Sequence, residues 1–248
     1  MDSSSEQRRF WDNNAKTWDP SQAVETDETA PMLDFLAELA GDGPALEFGI
    51  GTGRIAVPLY RRGVSVAGID VSPGMLGVLH ATVPPGDLPA TVGSMADADA
   101  PGRDYRLVYI IANAISCLSY QDEQIACFQN AARHLRPGGH LVIHLWVPQL
   151  RELPPGQTLV AGTVTDTAWI IDSYDTVAQH VVSHHFQVAG GRVTGTSSGT
   201  RHRYLWPSEM DVMAKMAGLE SVDRFAGWDR SPFTAESKAG VSVWRKPE

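Results

Sequence analysis

The segment from Ala45 to Arg54 constrains the fold of this chain more than any other feature. It reads ALEFGIGTGR: a short apolar run contains an acidic residue near its end, and three glycines then follow at every second position before a helical segment. A second apolar run, VAGID, ends at Asp70. This order predicts a strand, a tight loop, a helix and a second strand with a carboxylate at its tip, which is typical of a nucleotide pocket in an open parallel sheet. Glycines let backbone N–H groups approach a ligand, and the carboxylate can accept both hydroxyls of a ribose.

The spacing of the glycines indicates which nucleotide is bound. A dinucleotide fingerprint reads G-x-G-x-x-G, whereas this loop has Arg54 where the third glycine of that fingerprint would stand. Glu47 lies two residues before the first glycine. The pattern resembles motif I of the class I S-adenosylmethionine (SAM) methyltransferases, whose ligand has a sulfonium, a zwitterionic amino-acid tail and a ribose in place of a pyrophosphate. The alternative, a nicotinamide-dependent oxidoreductase, is disfavoured by Arg54.

Size and composition limit the class of protein. The 248 residues suffice for one ample domain, or for a domain with a sizeable insertion. A net charge of −9 argues against nucleic acids and anionic membranes as partners, because both need a basic surface. No apolar run approaches the roughly 20 residues of a membrane span, and residues 1–6 lack the basic and apolar pattern of a signal peptide. Because Cys117 and Cys127 are expected to stay reduced, we predict a cytoplasmic protein.

Strand and helix patterns alternate along the first part of the chain. This βαβα order predicts an α/β fold with a doubly wound, Rossmann-like sheet of seven strands, mostly parallel, whose last strand is antiparallel. After Pro148 the pattern changes to alternating β-branched segments with a Gly190-Gly191 turn, which predicts an antiparallel insertion of about three strands. The chain is therefore expected to divide into N-terminal helices (1–40), a core (41–150 and 207–248) and the insertion (151–206).

Three further local patterns extend the resemblance to small-molecule class I SAM methyltransferases, and most closely to the actinobacterial natural-product group that includes amino-sugar N,N-dimethyltransferases. An aromatic N-terminal segment with Trp11 and Trp18 is similar to the one that folds over the cofactor in this family. Gly93-Ser94-Met95 stands where the family often has Gly-Asp-Met at the adenine. Ser94 is a departure, since it can form a hydrogen bond there but carries no charge. The RPGG run at 136–139 is similar to the family's usual turn into strand five.

The resemblance also implies ligands and roles. SAM is the expected cofactor and S-adenosylhomocysteine the product, with residues 1–40 as a cofactor lid and residues 151–206 as a substrate lid that can also form a homodimer interface. No metal is expected, because the histidines of the insertion lack the cysteines or closely spaced acidic partners of a metal site. The predicted cofactor contacts are Trp11, Trp18, Glu47, Gly49, Gly51, Gly53, Asp70, Val71, Met75, Ser94, Met95 and Ala112.

These patterns predict SAM-dependent transfer of a methyl group to an amine or a hydroxyl of a small molecule, in specialised-metabolite biosynthesis. SAM already supplies the reactivity, so the protein must mainly place the nucleophile in line. A base matters more for a hydroxyl than for an amine, and the sequence leaves N- and O-methylation open. A non-catalytic relative that keeps the fold and serves as a partner subunit is the remaining alternative, against which the complete cofactor motif argues.

Four residues are candidates for contact with the methyl acceptor. His144 and Asn113 lie near the carboxyl ends of strands five and four, which border the expected cleft. His144 would act as a base or orient the substrate; alternatively, it is a hydrogen-bonded histidine in a half-buried strand. Asn113 would face the methyl donor or acceptor, or it caps its loop. Trp146 and His185 are the predicted substrate contacts.

Overall fold

The structure of the chain is a computed structural model that describes residues 3–15, 17, 23–148, 150 and 153–248. Within these residues the helices are α1 (Ser4–Ala15), α2 (Ala30–Ala40), α3 (Ala56–Arg61), α4 (Pro73–Thr82), α5 (Gln121–His134) and α6 (Pro207–Met216). The strands are β1 (Ala45–Phe48), β2 (Val66–Asp70), β3 (Ala90–Val92), β4 (Tyr105–Ile110), β5 (Leu135–Trp146), β6 (Leu159–Val164), β7 (Ala168–Asp175), β8 (His180–Ala189), β9 (Arg192–Ser198), β10 (His202–Arg203), β11 (Glu220–Phe225) and β12 (Ala239–Arg245). None of the helices in the described part of the chain has the length and apolar character needed to cross a membrane.

The central sheet has seven strands in the order β11-β12-β5-β4-β1-β2-β3. Strands β1 to β5 pair in parallel, and β12 lies antiparallel between β5 and β11. This arrangement confirms the predicted doubly wound sheet with an antiparallel last strand. The RPGG run belongs to β5 instead of preceding it, because Leu135 already pairs with Tyr105 of β4.

Helices cover both faces of this sheet. The apolar side chains of α2, α3 and α4 pack on one face, and those of α5 and α6 pack on the other. Strand β1 shows why: Ala45 belongs to the first cluster and Leu46 to the second, so the strand is apolar on both sides, as a parallel sheet between two helical layers requires. The carboxyl ends of β1, β2 and β4 therefore meet at one edge of the sheet, where their loops are accessible to ligands.

The insertion forms a second, antiparallel sheet of five strands, more than the three or so expected. Strand β8 is ten residues long and pairs with β7 along one edge. Its other edge pairs with β9 over one half and with β10 over the other. Strand β10 has two residues, which is too short for an alternating pattern to be recognised in the sequence.

Arg203 of β10 joins the insertion to the core. Its guanidinium is buried and donates hydrogen bonds to Gln124 of α5 (2.5 Å), Gln179 (3.0 Å) and Glu209 of α6 (2.7 Å). Burial alone would raise the pKa of Glu209, but hydrogen bonds from Arg203, Gln179 and Gln121 outweigh burial and lower it. The side chain thus connects the insertion to two core helices, and Glu209 is its ion-pair partner.

We expect Arg203→Ala to lower the free energy of unfolding by about 3–5 kcal/mol, because it leaves Glu209 as a partly buried charge without its cation. Urea unfolding at neutral pH measures this loss. Arg245→Ala is the control, since it removes only an exposed pair with Glu248 and should cost under about 1 kcal/mol.

The same ion pair makes stability depend on pH. Because the pKa of Glu209 is lower in the folded protein than its unfolded value of 4.5, the ionised carboxylate stabilises the fold above pH 4.5. This contribution is lost as the pH falls through the pKa of Glu209 in the folded protein. The difference in free energy of unfolding between wild type and Arg203→Ala should therefore become smaller below that pH. Equal losses for both variants would contradict the anchoring role.

Candidate cofactor and acceptor cavities

The glycine-rich loop joins β1 to α3 in a conformation that few other residues adopt. Gly51 and Gly53 have φ angles of +55° and +84°, in a region that a Cβ disfavours. A Cβ on Gly53 would lie 2.5 Å from Leu79 of α4 and 2.7 Å from Val57 of α3, so this glycine is required by close packing. A Cβ on Gly51 would meet nothing within 4 Å, because Gly51 faces open space. Gly53 therefore lets the loop pack against α3 and α4, and Gly51 leaves its backbone accessible to a ligand.

Asp70, at the end of β2, holds this loop in place. Its Oδ2 accepts the backbone N–H of Gly51 and its Oδ1 accepts that of Ser72, each at 2.8 Å. Burial raises the pKa of Asp70 to about 6, and these two hydrogen bonds oppose the increase. The carboxylate thus fixes the turn while lying in the wall of a cavity.

Glu47 is the second acidic group of the site. Its side chain is buried, and Oη of Tyr109 on β4 donates a hydrogen bond of 3.0 Å to its Oε2. Burial raises the pKa of Glu47 to about 8, with the Tyr109 hydroxyl and the positive charge of Arg54 acting in the opposite direction. A cationic group beside Glu47 would favour its ionised form further, so this carboxylate suits the positive end of a ligand.

The loop and the two acidic residues surround the cofactor cavity, a space of about 180 Å³ at the carboxyl ends of β1 and β2. Gly53 packs against helices instead of lining it, and Trp18 lies outside the described residues. Two carboxyl groups, backbone amides and two methionine side chains are chemically suited to the amino group, ribose and adenine of SAM. The predicted cofactor residues that line the cavity are Trp11, Glu47, Gly49, Gly51, Asp70, Val71, Met75, Ser94, Met95 and Ala112.

Helix α1 covers the cofactor cavity. Gln7 and Trp11, one helical turn apart, both line it. Asp12 attaches α1 to the start of α4, because its Oδ1 accepts hydrogen bonds from Oγ of Ser72 (2.6 Å) and from the backbone N–H of Gly74 (3.0 Å). The Ser72 hydrogen bond is the main cause of the lowered pKa of Asp12. The N-terminal helix is thereby fixed over the glycine loop by polar contacts.

A second space, the acceptor cavity, lies between the ends of β4 and β5 and the sheet of the insertion. Its volume is about 290 Å³. The core contributes Trp146 and Lys238, and the insertion contributes Asp172, Tyr174 and His202 among others. The cavity is therefore lined by a carboxylate, an imidazole, an amine and aromatic rings, a set suited to a polar organic molecule.

One short segment separates the two cavities. Ala112 lines the cofactor cavity and Asn113 lines the acceptor cavity, and the 3₁₀ turn Ala114–Cys117 follows. Asn113 has a left-handed backbone, with φ of +62°, and its Oδ1 accepts the backbone N–H of Trp146 at 2.7 Å. Asn113 therefore fixes the end of β5 against this turn, and its side chain also faces the acceptor side.

His144 and His185 line neither cavity. The ring of His144 lies 5.4 Å from that of Trp228, and burial and the charge of Arg54 lower its pKa. Its Nδ1 is buried and has no hydrogen-bond partner among the described residues. His185 is exposed and pairs with Ile170, further along the sheet face that carries the acceptor cavity. The predicted roles of both histidines stay predictions.

Several residues of the acceptor cavity were not singled out from the sequence. Asp172 and Tyr174 stand at i and i+2 on β7, a spacing that places both on one face of a strand. His202 is one of the histidines of the insertion that were considered and set aside as metal ligands, and nothing in its sequence neighbourhood showed that it faces a cavity. The alternation of β7 is the only signal that could have pointed to this wall.

Comparison with known proteins gives the family. Residues 45–139 match a family described as a methyltransferase domain. The chain is 35% identical to the CcbJ methyltransferase of Streptomyces caelestis, with a TM-score of 0.78 and coverage of 95% of this chain and 96% of that one. This chain belongs to the SAM-dependent methyltransferases. A cypemycin N-terminal methyltransferase from a Streptomyces species is 27% identical over 207 residues, which span 80% of this methyltransferase and 81% of that protein. The SAM-bound amino pentose methyltransferase CalS10 of Micromonospora echinaspora shares the fold, with 21% identity, a TM-score of 0.67 and coverage of 91% and 94%.

Membership of the family decides between the alternatives that the sequence left open. The protein is a SAM-dependent methyltransferase, and the nicotinamide-dependent and non-catalytic alternatives are set aside. Its relatives include enzymes from natural-product pathways. In the described part of the methyltransferase, no group of three or more His, Cys, Asp or Glu side chains is arranged to hold a metal ion.

We expect Asp70→Ala to weaken the binding of SAM to the methyltransferase about tenfold or more, equivalent to about 1.4 kcal/mol. The substitution removes a hydrogen-bond acceptor from the cavity and releases the backbone of Gly51. Isothermal titration calorimetry with SAM measures the effect. Asp87→Ala, in an exposed loop, is the matched control and should bind as the wild type does. Unchanged affinity in Asp70→Ala would remove Asp70 from the cofactor site.

Proposed function

We propose that this methyltransferase acts in the cytoplasm on an amine of a small molecule, as a step of specialised-metabolite biosynthesis, and that the amine binds in the acceptor cavity. The observation that carries the proposal is the carboxylate of Asp172 in a wall that also presents the rings of Trp146, Tyr174 and Tyr204. An ammonium group is attracted both by a carboxylate and by the faces of aromatic rings. A neutral hydroxyl is attracted less strongly by the carboxylate and by the rings, so this wall favours an amine.

Neighbouring strands hold the carboxylate of Asp172 in position. Asp172 pairs with Ser183 of β8, whose Oγ donates a 2.6 Å hydrogen bond to Oδ1 of Asp172. On the same face, the ring of Tyr174 packs 5.8 Å from that of Tyr204. Carboxylate and rings are therefore ordered before an acceptor arrives, which reduces the entropy lost on binding.

A relative supports an amine as the acceptor. The cypemycin methyltransferase, which aligns over most of both chains, is named for the N-terminus. A peptide N-terminus is an amine, the acceptor class that the acceptor cavity of this methyltransferase suits. The name and the Asp172 carboxylate in the cavity wall are independent observations, and both favour nitrogen over oxygen.

The remaining residues of the two cavities bind and orient. When bound, SAM supplies a methyl group on a positively charged sulfur. In this proposal Asp70 accepts the ribose hydroxyls, Glu47 faces the amino group, and Ser94 and Met95 hold the adenine. Trp11 and the rest of α1 exclude water from the cavity. Correct orientation of two reactants is worth about 7–11 kcal/mol, so placing the acceptor is the main contribution of the protein.

Further predictions from the sequence belong to the same proposal. Residues 1–40 act as the cofactor lid, and residues 151–206 act as the substrate lid around the core. Strand β6 is an edge of the second sheet with exposed apolar side chains, which makes it the candidate contact for a homodimer. His144 and His185 stay candidates for a catalytic and a substrate role.

The proposal is tested with methyl-labelled SAM and pairs of compounds that differ only in an amine or a hydroxyl at one carbon, such as amino sugars and their parent sugars. We expect label in the amines. Asp172→Asn should raise KM for the preferred amine about tenfold or more, because the charge that attracts the ammonium is lost, while Kd for SAM stays unchanged. Asp166→Asn, in the exposed turn between β6 and β7, is the control. Label in the hydroxyl compounds alone would overturn the proposal.

A further inference from the structure

His202 lies at the boundary between the two cavities. It lines the acceptor cavity, and its Nε2 is 3.8 Å from Sγ of Cys117. Cys117 lines the cofactor cavity, while the preceding residue, Ser116, lines the acceptor cavity. The imidazole therefore lies in the acceptor cavity next to a residue that lines the cofactor cavity.

The hydrogen bonds around His202 assign its tautomer. Oγ1 of Thr200 donates to Oε1 of Gln7 (3.2 Å) and lies 3.3 Å from Nε2 of His202. The amide of Gln7 is oriented by its own donation to the carbonyl of Arg201 (3.4 Å). A hydroxyl has a single proton, so Thr200 can only accept from His202. The proton of the neutral ring is thus on Nε2, and Nδ1 is the basic nitrogen.

The surroundings keep this ring neutral at pH 7. Burial lowers the pKa of His202 from 6.5, and the carboxylate of Asp172 opposes this only in part. Burial raises the pKa of the Cys117 thiol to about 12, so Cys117 faces the ring as a neutral group. Among the described residues, the other ionisable side chains that line the acceptor cavity with His202 are Tyr174, Tyr204 and Lys238.

We propose that His202 is a catalytic base that removes a proton from the acceptor ammonium. The inference rests on the proposed function, because an amine that is recognised as a cation must lose a proton before its nitrogen can be methylated. One N–H bond of the ammonium breaks and its proton bonds to Nδ1 of His202. The products of this step are a neutral amine, whose lone pair is free for the methyl group, and an imidazolium that later returns its proton to solvent.

The same hydrogen bonds connect the base to the helix that covers the cofactor cavity. Gln7 belongs to α1 and lines that cavity, and Thr200 transmits its orientation to His202. In this position of α1, the proton is held on Nε2 and Nδ1 stays basic. Gln7 and Thr200 are therefore positioning residues for His202.

The pH dependence of kcat/KM tests the base. In the wild type, kcat/KM should rise through the pKa of His202, below 6.5, and stay level up to the pKa of the amine. His202→Gln keeps a donor toward Thr200 but has no basic nitrogen, so only amine that arrives neutral can react. At pH 7, kcat/KM of this variant should be about 10²-fold or more below that of the wild type. With increasing pH it should rise tenfold per pH unit. An amine with a pKa below 7 should restore near-wild-type rates.

His184→Gln is the control for this substitution, since His184 lies on the opposite face of the same sheet. It should keep the level profile. If kcat/KM of His202→Gln stayed level with pH, as in the wild type, His202 would not be the base. The proposed methylation of an amine would still stand. If the wild type methylates no amine, the proposed function fails, and this inference fails with it.

A second measurement does not depend on turnover. ¹⁵N-histidine spectra of the complex with S-adenosylhomocysteine should show His202, identified by its absence in His202→Gln, as the Nε2–H tautomer at pH 7. Thr200→Val removes the acceptor at similar volume, so it should mix the two tautomers and lower kcat while the level profile remains. An imidazolium or an Nδ1–H tautomer at pH 7 would overturn the proposal.

Discussion

The cofactor cavity depends on one side chain, the carboxylate of Asp70. Its two oxygens accept the backbone N–H groups of Gly51 and Ser72, which ties the glycine loop and the start of α4 to the end of β2. Ser72 continues the arrangement: its Oγ accepts the backbone N–H of Met75, which caps α4, and donates to Asp12 of α1. Loop, helix and covering helix are thus positioned by a continuous set of hydrogen bonds that begins at one acidic residue.

The cofactor cavity could be predicted because its determinants are local in sequence. Glu47, the glycines and Asp70 fall within 24 residues of chain, and the parallel pairing of β1 with β2 brings the ends of the two strands together. The βαβ order also fixes the topology of the central sheet, since such crossovers have one handedness. Gly53 shows the limit of this reasoning, because its neighbours Leu79 and Val57 lie on two helices whose packing the loop sequence does not encode.

Of the acceptor cavity, only the core side with Asn113 and Trp146 could be predicted, because the rest of its wall is assembled from distant segments. Asn113, Trp146, Asp172, His202 and Lys238 come from five different parts of the chain. Their convergence depends on the register of the second sheet, in which a shift of one residue would turn His202 to the other face. His144 illustrates the same difficulty: its place on β5 was predictable, but its contact with Trp228 joins residues far apart in sequence.

The thin partition formed by the 3₁₀ turn Ala114–Cys117 has a consequence for how such enzymes diversify. The core and helix α1 build the cofactor cavity, whereas β6, β7 and β10 of the insertion supply most of the wall opposite the partition. Substitutions in these strands reshape the acceptor wall without touching Asp70 or the glycine loop. If the proposed function holds, a change confined to the insertion would therefore alter the acceptor and leave the use of SAM unchanged.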